Sequence, residues 1–313
     1  MRLKIVMKMA SEHTCCERRL VAALCLLVGL SASFAGARGA PRYMDENYQI
    51  PAVDPVLAQK NLNECMRFGL PSGDNLRLFN SFIVSYDRRL KEPVWVFEHL
   101  TGRNFQGSAN RQGMFFKEDL TLHDYFRADN YDYMRSGYSR GHQASAGDYL
   151  MSANSMAQTF TLSNIVPQNS VMNSGGWVRL EHYVRFLAKH PEVANVYAVT
   201  GPAFLPFEGQ DHKLHVVYQV IGSHQVAVPS HLFKVFLIER KSGRLSLEAF
   251  LMPNTNEAHA DIQTINKYRV PIEKLDFIER STGFVFFPNL NRKNADQPTD
   301  LQLNYVDQKV TFS

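Results

Sequence analysis

Residues 176–189 carry the one clear amphipathic helical pattern of the sequence, and it lies among segments with the pattern of β-strands. The apolar residues of this segment form one stripe, which favours a helix packed on a sheet. The strand-like segments are 94–97, 196–200, 214–221, 226–238 and 245–252. The Gly-Pro pair at 201–202 is expected to end the second strand, and the Gly-Ser pair at 222–223 gives a hairpin-like break. We therefore predict one α+β domain over residues 76–290.

The regions that flank this domain carry weaker patterns. Residues 43–75 contain turn signals and little periodicity, and we predict that they form a lead-in segment. The chain becomes polar after Pro288, so residues 291–313 are predicted to form a C-terminal tail with a last strand near Val310. With 45% hydrophobic and 20% charged residues, a chain of 313 residues is neither wholly disordered nor collagen-like nor a coiled coil.

The basic balance of the chain comes from its first residues. Residues 1–42 contain seven basic and two acidic side chains, whereas the rest of the chain contains 27 basic and 28 acidic ones. The net charge of +4 therefore belongs to the N-terminal segment and not to the body. Bulk charge gives no argument for a polyanionic partner, and any such argument has to be local.

Residues 1–42 are predicted to be a targeting leader. An uncharged, mostly apolar stretch at 20–37 follows Arg18 and Arg19 and ends in the small residues 35–37, as in a secretory signal peptide. Arg-rich leaders with few acidic residues also direct proteins to mitochondria, and a short membrane anchor is a third possibility. No second stretch reaches membrane length, so the remainder is expected to be soluble.

Three of the four cysteines, Cys15, Cys16 and Cys25, lie in this leader. If the leader is removed, Cys65 remains alone and no intramolecular disulfide can form. Pairs of cysteines with the spacing of zinc ligands are absent from the sequence. The mature chain must then be stable on its hydrophobic core.

The segment 135–142 combines groups suited to phosphate chemistry. Gly137 and Gly141 let the backbone bend closely around a ligand. Arg140 can contact a phosphate with two hydrogen bonds, and His142 can accept a proton near neutral pH. Read alone, the segment is more typical of a structural histidine in a loop.

Asn173 and Glu181 suggest a second polar site. Glu181 lies on the apolar stripe of the predicted helix, where a carboxylate is costly unless it is paired or serves a cation. Eight helical residues span roughly 12 Å, so one of the two side chains could bind an ion and the other a water of its shell, as suits Mg²⁺. The alternatives are that Asn173 caps the helix and that Glu181 pairs with Arg179 or Arg185.

Local charge agrees with a phosphate site, because residues 134–190 contain five basic and two acidic side chains. Arg88 could also lie near phosphate, or it could form a salt bridge in a turn. His212 and His215 have a metal-like spacing but are more typical of surface histidines, and His231 is expected to be structural.

The order of these motifs resembles that of the DNA/RNA non-specific endonuclease family, in particular its mitochondrial branch of endonuclease G and an exonuclease-like relative. The resemblance covers about residues 60–290. It is carried by the segments Ser-Arg-Gly-His at 139–142, Phe-x-Leu-Ser-Asn-Ile-Val-Pro-Gln at 160–168 and Asn-x-x-x-Trp-x-x-Leu-Glu at 173–181, and by blocks at 95–100, 200–202, 218–222 and 226–231.

The resemblance implies a ββα-metal nuclease fold with a central mixed or antiparallel sheet flanked by helices. It implies that His142 is the general base and that Asn173 is the single direct protein ligand of Mg²⁺ or Mn²⁺. Glu181 would hold a metal-bound water. Arg140 and Asn164 would lie near the scissile phosphate.

The resemblance also implies a function, which is sequence-tolerant hydrolysis of DNA and RNA by a homodimer. Arg88, Arg135 and Arg140 are the candidate substrate contacts. The leader then favours mitochondria, in the intermembrane space or at the inner membrane, with secretion as the alternative. Membrane association is expected only through the leader.

One residue departs from the family pattern, because much of the family has aspartate where this chain has Ser139. Serine is what the exonuclease-like relative carries there, so a 5′ exonuclease preference stays open. The chain ends soon after Pro288, without that relative's longer C-terminal extension, which favours endonuclease activity. A catalytically silent nucleic-acid-binding relative is the other alternative.

Overall fold

The β-rich segments form an antiparallel sheet in the computed structural model, which describes residues 47–257 and 262–296. The strands within these residues are β1 (Leu76–Leu78), β2 (Phe82–Asp87), β3 (Glu92–Leu100), β4 (Tyr138–His142), β5 (Ile165–Asn169), β6 (Val193–Ala203), β7 (Phe207–Glu208), β8 (Leu214–His215), β9 (Val220–Ile221), β10 (Val226–Ala227), β11 (His231–Arg240), β12 (Leu245–Pro253), β13 (Arg269–Val270) and β14 (Ala295–Asp296). The central sheet has the order β1-β2-β3-β6-β11-β12-β13, and β14 pairs with β12 in parallel. The pairs β4/β5, β7/β8 and β9/β10 form separate antiparallel ribbons.

The helices lie on both sides of this sheet. In chain order they are α1 (Pro55–Met66), α2 (Asn130–Tyr133), α3 (Ala153–Gln158), α4 (Ser170–Met172), α5 (Val178–Lys189), α6 (Ile262–Lys267) and α7 (Leu275–Thr282). Six short 3₁₀ turns also occur among the described residues, at Gly102–Phe105, Asp124–Phe126, Ala146–Asp148, Leu162–Asn164, Ile272–Lys274 and Arg292–Asn294. The α+β class predicted from the sequence is confirmed.

The central strands are apolar on both faces because each face packs on a separate core. On β11, Phe236 and Ile238 face a core that includes α5, whereas Val235 and Leu237 face a core that includes α7. Alternate residues of a strand point to opposite faces, so a strand buried on both sides shows a continuous apolar run. This explains the long β-rich pattern of the sequence at 226–238.

Two sequence expectations were wrong in detail. The sixth strand does not end at residues 201–202 but continues to Ala203, and Pro202 is tolerated because the pairing with β3 ends at Thr200. The segment 214–221 forms only the short strands β8 and β9. Most of its apolar side chains, such as Val217 at 70% exposure, have no sheet face to pack on, whereas Ile221 is buried in a small apolar cluster.

A helix also lies inside the lead-in segment where little periodicity was recognised. Asp54 caps α1 by accepting hydrogen bonds from the backbone N–H groups of Val56 and Leu57, and Pro55 begins the helix. Only Ala58, Asn61 and Cys65 are buried on it, which is why the apolar pattern is faint.

The leader and residues 297–313, with the expected strand near Val310, lie outside the described residues. Over the part of the chain that is described, no helix is both long and apolar enough to cross a bilayer. Cys65 is a buried free thiol on α1.

Candidate active site

The site is built on a ββα unit. The ribbon of β4 and β5 places His142 opposite Ile165, and the chain then continues directly from β5 into the helical stretch 170–189. His142 is the last residue of β4, so its position is fixed by the register of this ribbon. The ribbon and the helix together correspond to the ββα arrangement expected from the resemblance.

Aromatic packing holds the imidazole of His142. Its ring centroid lies 5.2 Å from that of Phe116 and 4.9 Å from that of Phe160. Gly141 precedes it, and a Cβ at this position would collide with the buried side chain of Gln168. The glycine therefore lets β4 pass close to β5, which sets where the ring of His142 points.

The environment of His142 favours its neutral form. Burial of the ring and, to a smaller extent, the positive charge of Arg111 lower the pKa of His142 to about 3. Nε2 is enclosed and has no hydrogen-bond partner among the described residues. A neutral imidazole at physiological pH is the form that can accept a proton.

We expect an NMR titration of the His142 ring to show a neutral imidazole down to at least pH 5. The unfolded chain gains a proton on this residue near pH 6.5 and the folded chain only near pH 3, so the free energy of unfolding should fall as the pH falls through this interval. A His142 pKa at or above 6 would contradict this account.

Asn173 does not cap the helix. The capping residue is Asn169, whose side chain accepts hydrogen bonds from the backbone N–H groups of Val171 and Met172. Asn173 begins one turn of π-helix, Asn173–Trp177, between α4 and α5. Its carboxamide makes no hydrogen bond to any described residue and lines the same pocket as His142. Single π-helical turns are frequent at functional sites.

The π-helical turn packs on the buried side chain of Lys234 through Trp177. Trp177 is 1% exposed, and the Nζ of Lys234 lies 5.5 Å from the centroid of its ring. Lys234 is itself buried and donates a hydrogen bond of 2.5 Å to Thr200 Oγ1. The helix that carries Asn173 is thus anchored to the central sheet through a cation–π contact.

Glu181 is held by Arg185, which also pairs with the buried Asp148. Arg185, one turn later on α5, lies 3.5 Å from Glu181 and 3.1 Å from Asp148. Burial raises the pKa of Asp148 to about 6, although Arg185 acts in the opposite direction. The proposed ion pair of Glu181 with Arg185 is therefore present, yet the carboxylate also faces the pocket.

A pocket of about 790 Å³ brings the main candidates together. His142, Asn173 and Glu181 line it, and the positively charged side chains that line it are Arg111, Arg140 and Arg185. An imidazole, a carboxamide and a carboxylate thus face one pocket, and the three arginines that line it could bind the oxygens of a phosphodiester.

Arg140 is placed by contacts outside the ribbon. Its guanidinium donates a hydrogen bond of 2.6 Å to the backbone carbonyl of Asn130 and lies over the rings of Tyr133 and Phe116. These contacts stiffen the long side chain at the pocket wall, so less entropy is lost when it binds a phosphate.

Three predicted site residues lie elsewhere. Asn164 is fully buried behind β4 and is not part of the pocket wall. Its carboxamide is hydrogen-bonded to the backbone of Ala144 and Thr159. Arg88 and Arg135 are exposed and line neither this pocket nor a second one that borders on Lys189 and Lys241.

The donor set fits a metal ion that keeps most of its waters. Within residues 47–257 and 262–296, no group of three or more His, Cys, Asp or Glu side chains could enclose a metal. The carboxamide oxygen of Asn173 and the carboxylate of Glu181 are oxygen donors of the kind that suits a hard ion such as Mg²⁺.

Arg111 and Asp148 are two residues of the site that the sequence did not predict. Arg111 lies on an irregular segment, with its guanidinium 5.4 Å from the centroid of the Phe160 ring, and no local motif marks it. Asp148 acts through Arg185, thirty-seven residues away in sequence. Only the fold brings Arg111 to the pocket and Asp148 to the Arg185 that lines it.

The comparisons with known proteins agree with one another. The family model described as DNA/RNA non-specific endonuclease matches residues 61–293. The protein named "Endonuclease G, mitochondrial" of Bos taurus is 40% identical over 241 residues, which cover 77% of this chain and 78% of that protein. "Nuclease EXOG, mitochondrial" of Xenopus laevis is 40% identical over 275 residues, 87% of this chain and 74% of that protein. A crystal structure of the EndoG/EndoGI complex superimposes with a TM-score of 0.70 at 38% identity, and covers 79% of this chain and 96% of that one.

Proposed function

Because the chain belongs to the DNA/RNA non-specific endonuclease family, we propose that it is a metal-dependent nuclease that hydrolyses phosphodiester bonds in both DNA and RNA. The family and the nuclease activity predicted from the sequence are confirmed by its relatives. The observation that carries the finer proposal is that His142, Asn173 and Glu181 line one pocket.

His142 is proposed to be the general base. Its neutral ring accepts a proton from the attacking water, and we assign this role to Nδ1 because Nε2 is enclosed between aromatic side chains. The positive charge left on the imidazole is offset by the negative phosphate in front of it. A positioned base typically contributes about 10²–10⁴-fold to the rate.

Asn173 is proposed to bind a divalent ion directly, and Glu181 to hold one of its water molecules. The ion, Mg²⁺ or Mn²⁺, would stabilise the negative charge that develops on the phosphate and on the leaving 3′ oxygen. Arg185 keeps the Glu181 carboxylate in place through their 3.5 Å contact.

Arg140 and Arg111 are proposed to bind the scissile phosphate from the pocket wall. Contacts to phosphate oxygens position a nucleic acid but carry no sequence information. Cleavage should therefore tolerate many sequences. Arg88 and Arg135 remain candidates only for contacts with more distant parts of the substrate.

Asn164 is proposed to position His142 and not to touch the substrate. Its carboxamide joins the backbone of Ala144, two residues after His142, to that of Thr159. Replacing Asn164 by alanine should lower kcat or shift the pH profile of cleavage, and it should also lower the stability of the fold. A rise in KM with no other change would contradict this role.

The name of the relatives assigns them to mitochondria, and we assign this chain to the same organelle, in the intermembrane space or at the inner membrane. Imaging residues 1–46 fused to a fluorescent protein tests this assignment. A signal in the medium or the endoplasmic reticulum would favour the secreted alternative.

A homodimer is proposed on the basis of the family resemblance and of the exposed apolar side chains on the segment 207–220. Phe207, Leu214 and Val217 are between 51% and 74% exposed there. Such a patch suits a second copy of the chain. Sedimentation equilibrium that gives the mass of a single chain would contradict the proposal.

Circular plasmid incubated with the protein and Mg²⁺ is expected to be nicked and linearised, and a chelator should stop the reaction. An open pocket lined by phosphate-binding groups does not require a strand end. A 5′ exonuclease would degrade linear DNA and leave closed circles intact, and a silent binding relative would cleave neither.

A further inference from the structure

A second pocket, of about 840 Å³, lies beside the catalytic pocket. No residue lines both pockets, but chain neighbours are divided between them: Leu150 and Met156 line the first, and the adjacent Met151 and Ser155 line the second. On α5, Arg185 lines the first pocket and Lys189, one turn later, lines the second. The two pockets are therefore neighbours along one helix and one stretch of chain.

The second pocket is strongly basic. The side chains of Lys60, Arg103, Lys189 and Lys241 line it and are exposed, and no described carboxylate forms an ion pair with any of them. Glu64 is the acidic residue of its wall. We call this space the basic pocket. Unpaired cations that surround a concave space attract anions, since their potentials add there.

A buried donor points to a ligand in the same pocket. Asn61, on α1, is 8% exposed, and its Nδ2 has no hydrogen-bond partner among the described residues. Leaving a buried donor unpaired costs about 1–3 kcal/mol, so such groups usually serve a ligand or a water. Asn61 lines the basic pocket, and a rotation of its side chain towards the pocket would let the enclosed Nδ2 donate to an acceptor oxygen bound there.

We propose that the basic pocket binds a phosphate of the same nucleic-acid strand that is cleaved in the catalytic pocket, a few nucleotides from the scissile bond. The inference rests on the proposed nuclease function. Eight residues of α5 separate Glu181 from Lys189, which corresponds to about 12 Å along the helix axis. That distance is roughly three to four nucleotides of rise along one strand of a duplex.

The geometry favours a continuous polyanion over an unrelated anion. A small anion would occupy the basic pocket alone, whereas a strand bound in the catalytic pocket would extend into the neighbouring basic pocket and place further phosphates there. The basic pocket then supplies binding energy remote from the reacting atoms. It should lower KM for long substrates and leave the chemical step unchanged.

The test compares a variant carrying Arg103→Gln, Lys189→Gln and Lys241→Gln with a control carrying Lys267→Gln, Lys274→Gln and Lys293→Gln. The control lysines are exposed and line neither pocket. Cleavage is measured on a single strand of about thirty nucleotides and on a dinucleotide with one phosphodiester, each over a range of salt concentrations.

For the pocket variant, we expect KM on the long strand to rise about tenfold with kcat unchanged, and the salt dependence of log KM to weaken by about two units of slope. Kinetics on the dinucleotide should match those of the wild type. Asn61→Ala should raise KM on the long strand by a smaller factor.

Equal KM values and salt slopes for the pocket and control variants would overturn the proposal while leaving the nuclease function intact. The proposal would also be overturned if the pocket variant lost binding to vesicles of anionic phospholipid while its KM stayed unchanged. The basic pocket would then bind a membrane surface. If the wild type cleaves neither substrate, the nuclease function itself fails.

Discussion

Replacing His142 by alanine is expected to lower phosphodiester cleavage by about 10²–10⁴-fold while leaving the fold intact. Among the described residues that line the catalytic pocket, His142 carries the one imidazole, and its lowered pKa keeps that ring neutral and able to accept a proton at physiological pH. Cleavage of labelled DNA and of RNA under single-turnover conditions measures the effect. Both substrates should be affected alike, because the same base would serve both.

The control for this variant is His123→Ala, which removes an exposed imidazole that does not line the pocket. It should cleave at close to the wild-type rate. Thermal unfolding separates a chemical from a structural effect, because the loss of ring packing against Phe116 and Phe160 lowers stability only modestly. If a folded His142→Ala protein cleaved at the wild-type rate, His142 would not be the general base.

Replacing Asn173 by alanine is expected to reduce activity by at least about 10²-fold at millimolar Mg²⁺. It removes the carboxamide oxygen proposed to bind the ion directly, and the water held by Glu181 cannot replace that bond. Raising the Mg²⁺ concentration should recover part of the loss. Asn173→Asp keeps an oxygen at the same position, so it should bind the ion and retain more activity than the alanine variant.

Asn63→Ala is the matched control, since Asn63 is an exposed helical asparagine that lines neither pocket. Its dependence on Mg²⁺ should match that of the wild type. An Asn173→Ala protein with an unchanged Mg²⁺ dependence would show that the ion binds elsewhere.

The sequence predicted the elements whose signals are local. Strands β3 and β11 and the helix α5 were recognisable because each buries a regular apolar pattern against the sheet. His142 and Asn173 could be named because they stand in recognisable motifs. The short ribbons could not be predicted, since apolar residues such as Val217 that stay exposed give the same pattern as buried ones.

The rest of the site depends on contacts between distant parts of the chain. The pairing of Asp148 with Arg185 and the contact of Lys234 with Trp177 bring together residues that are tens of positions apart. Asn164, by contrast, was identified from its motif, but the motif did not show its role. Its carboxamide is hydrogen-bonded to the backbone of Ala144, two residues after His142. Motif membership identified the residue, and only the structure separated contact with substrate from positioning.

The central claim is that His142 faces a divalent ion bound by the Asn173 carboxamide across one pocket. The most direct measurement is a crystal structure of the His142→Ala protein with Mn²⁺ and a short oligonucleotide, in which anomalous scattering locates the ion. The account predicts a Mn²⁺ peak within about 2.3 Å of Asn173 Oδ1, with a phosphate between the ion and the position of residue 142. A peak bound by other residues, or a phosphate outside this pocket, would contradict it.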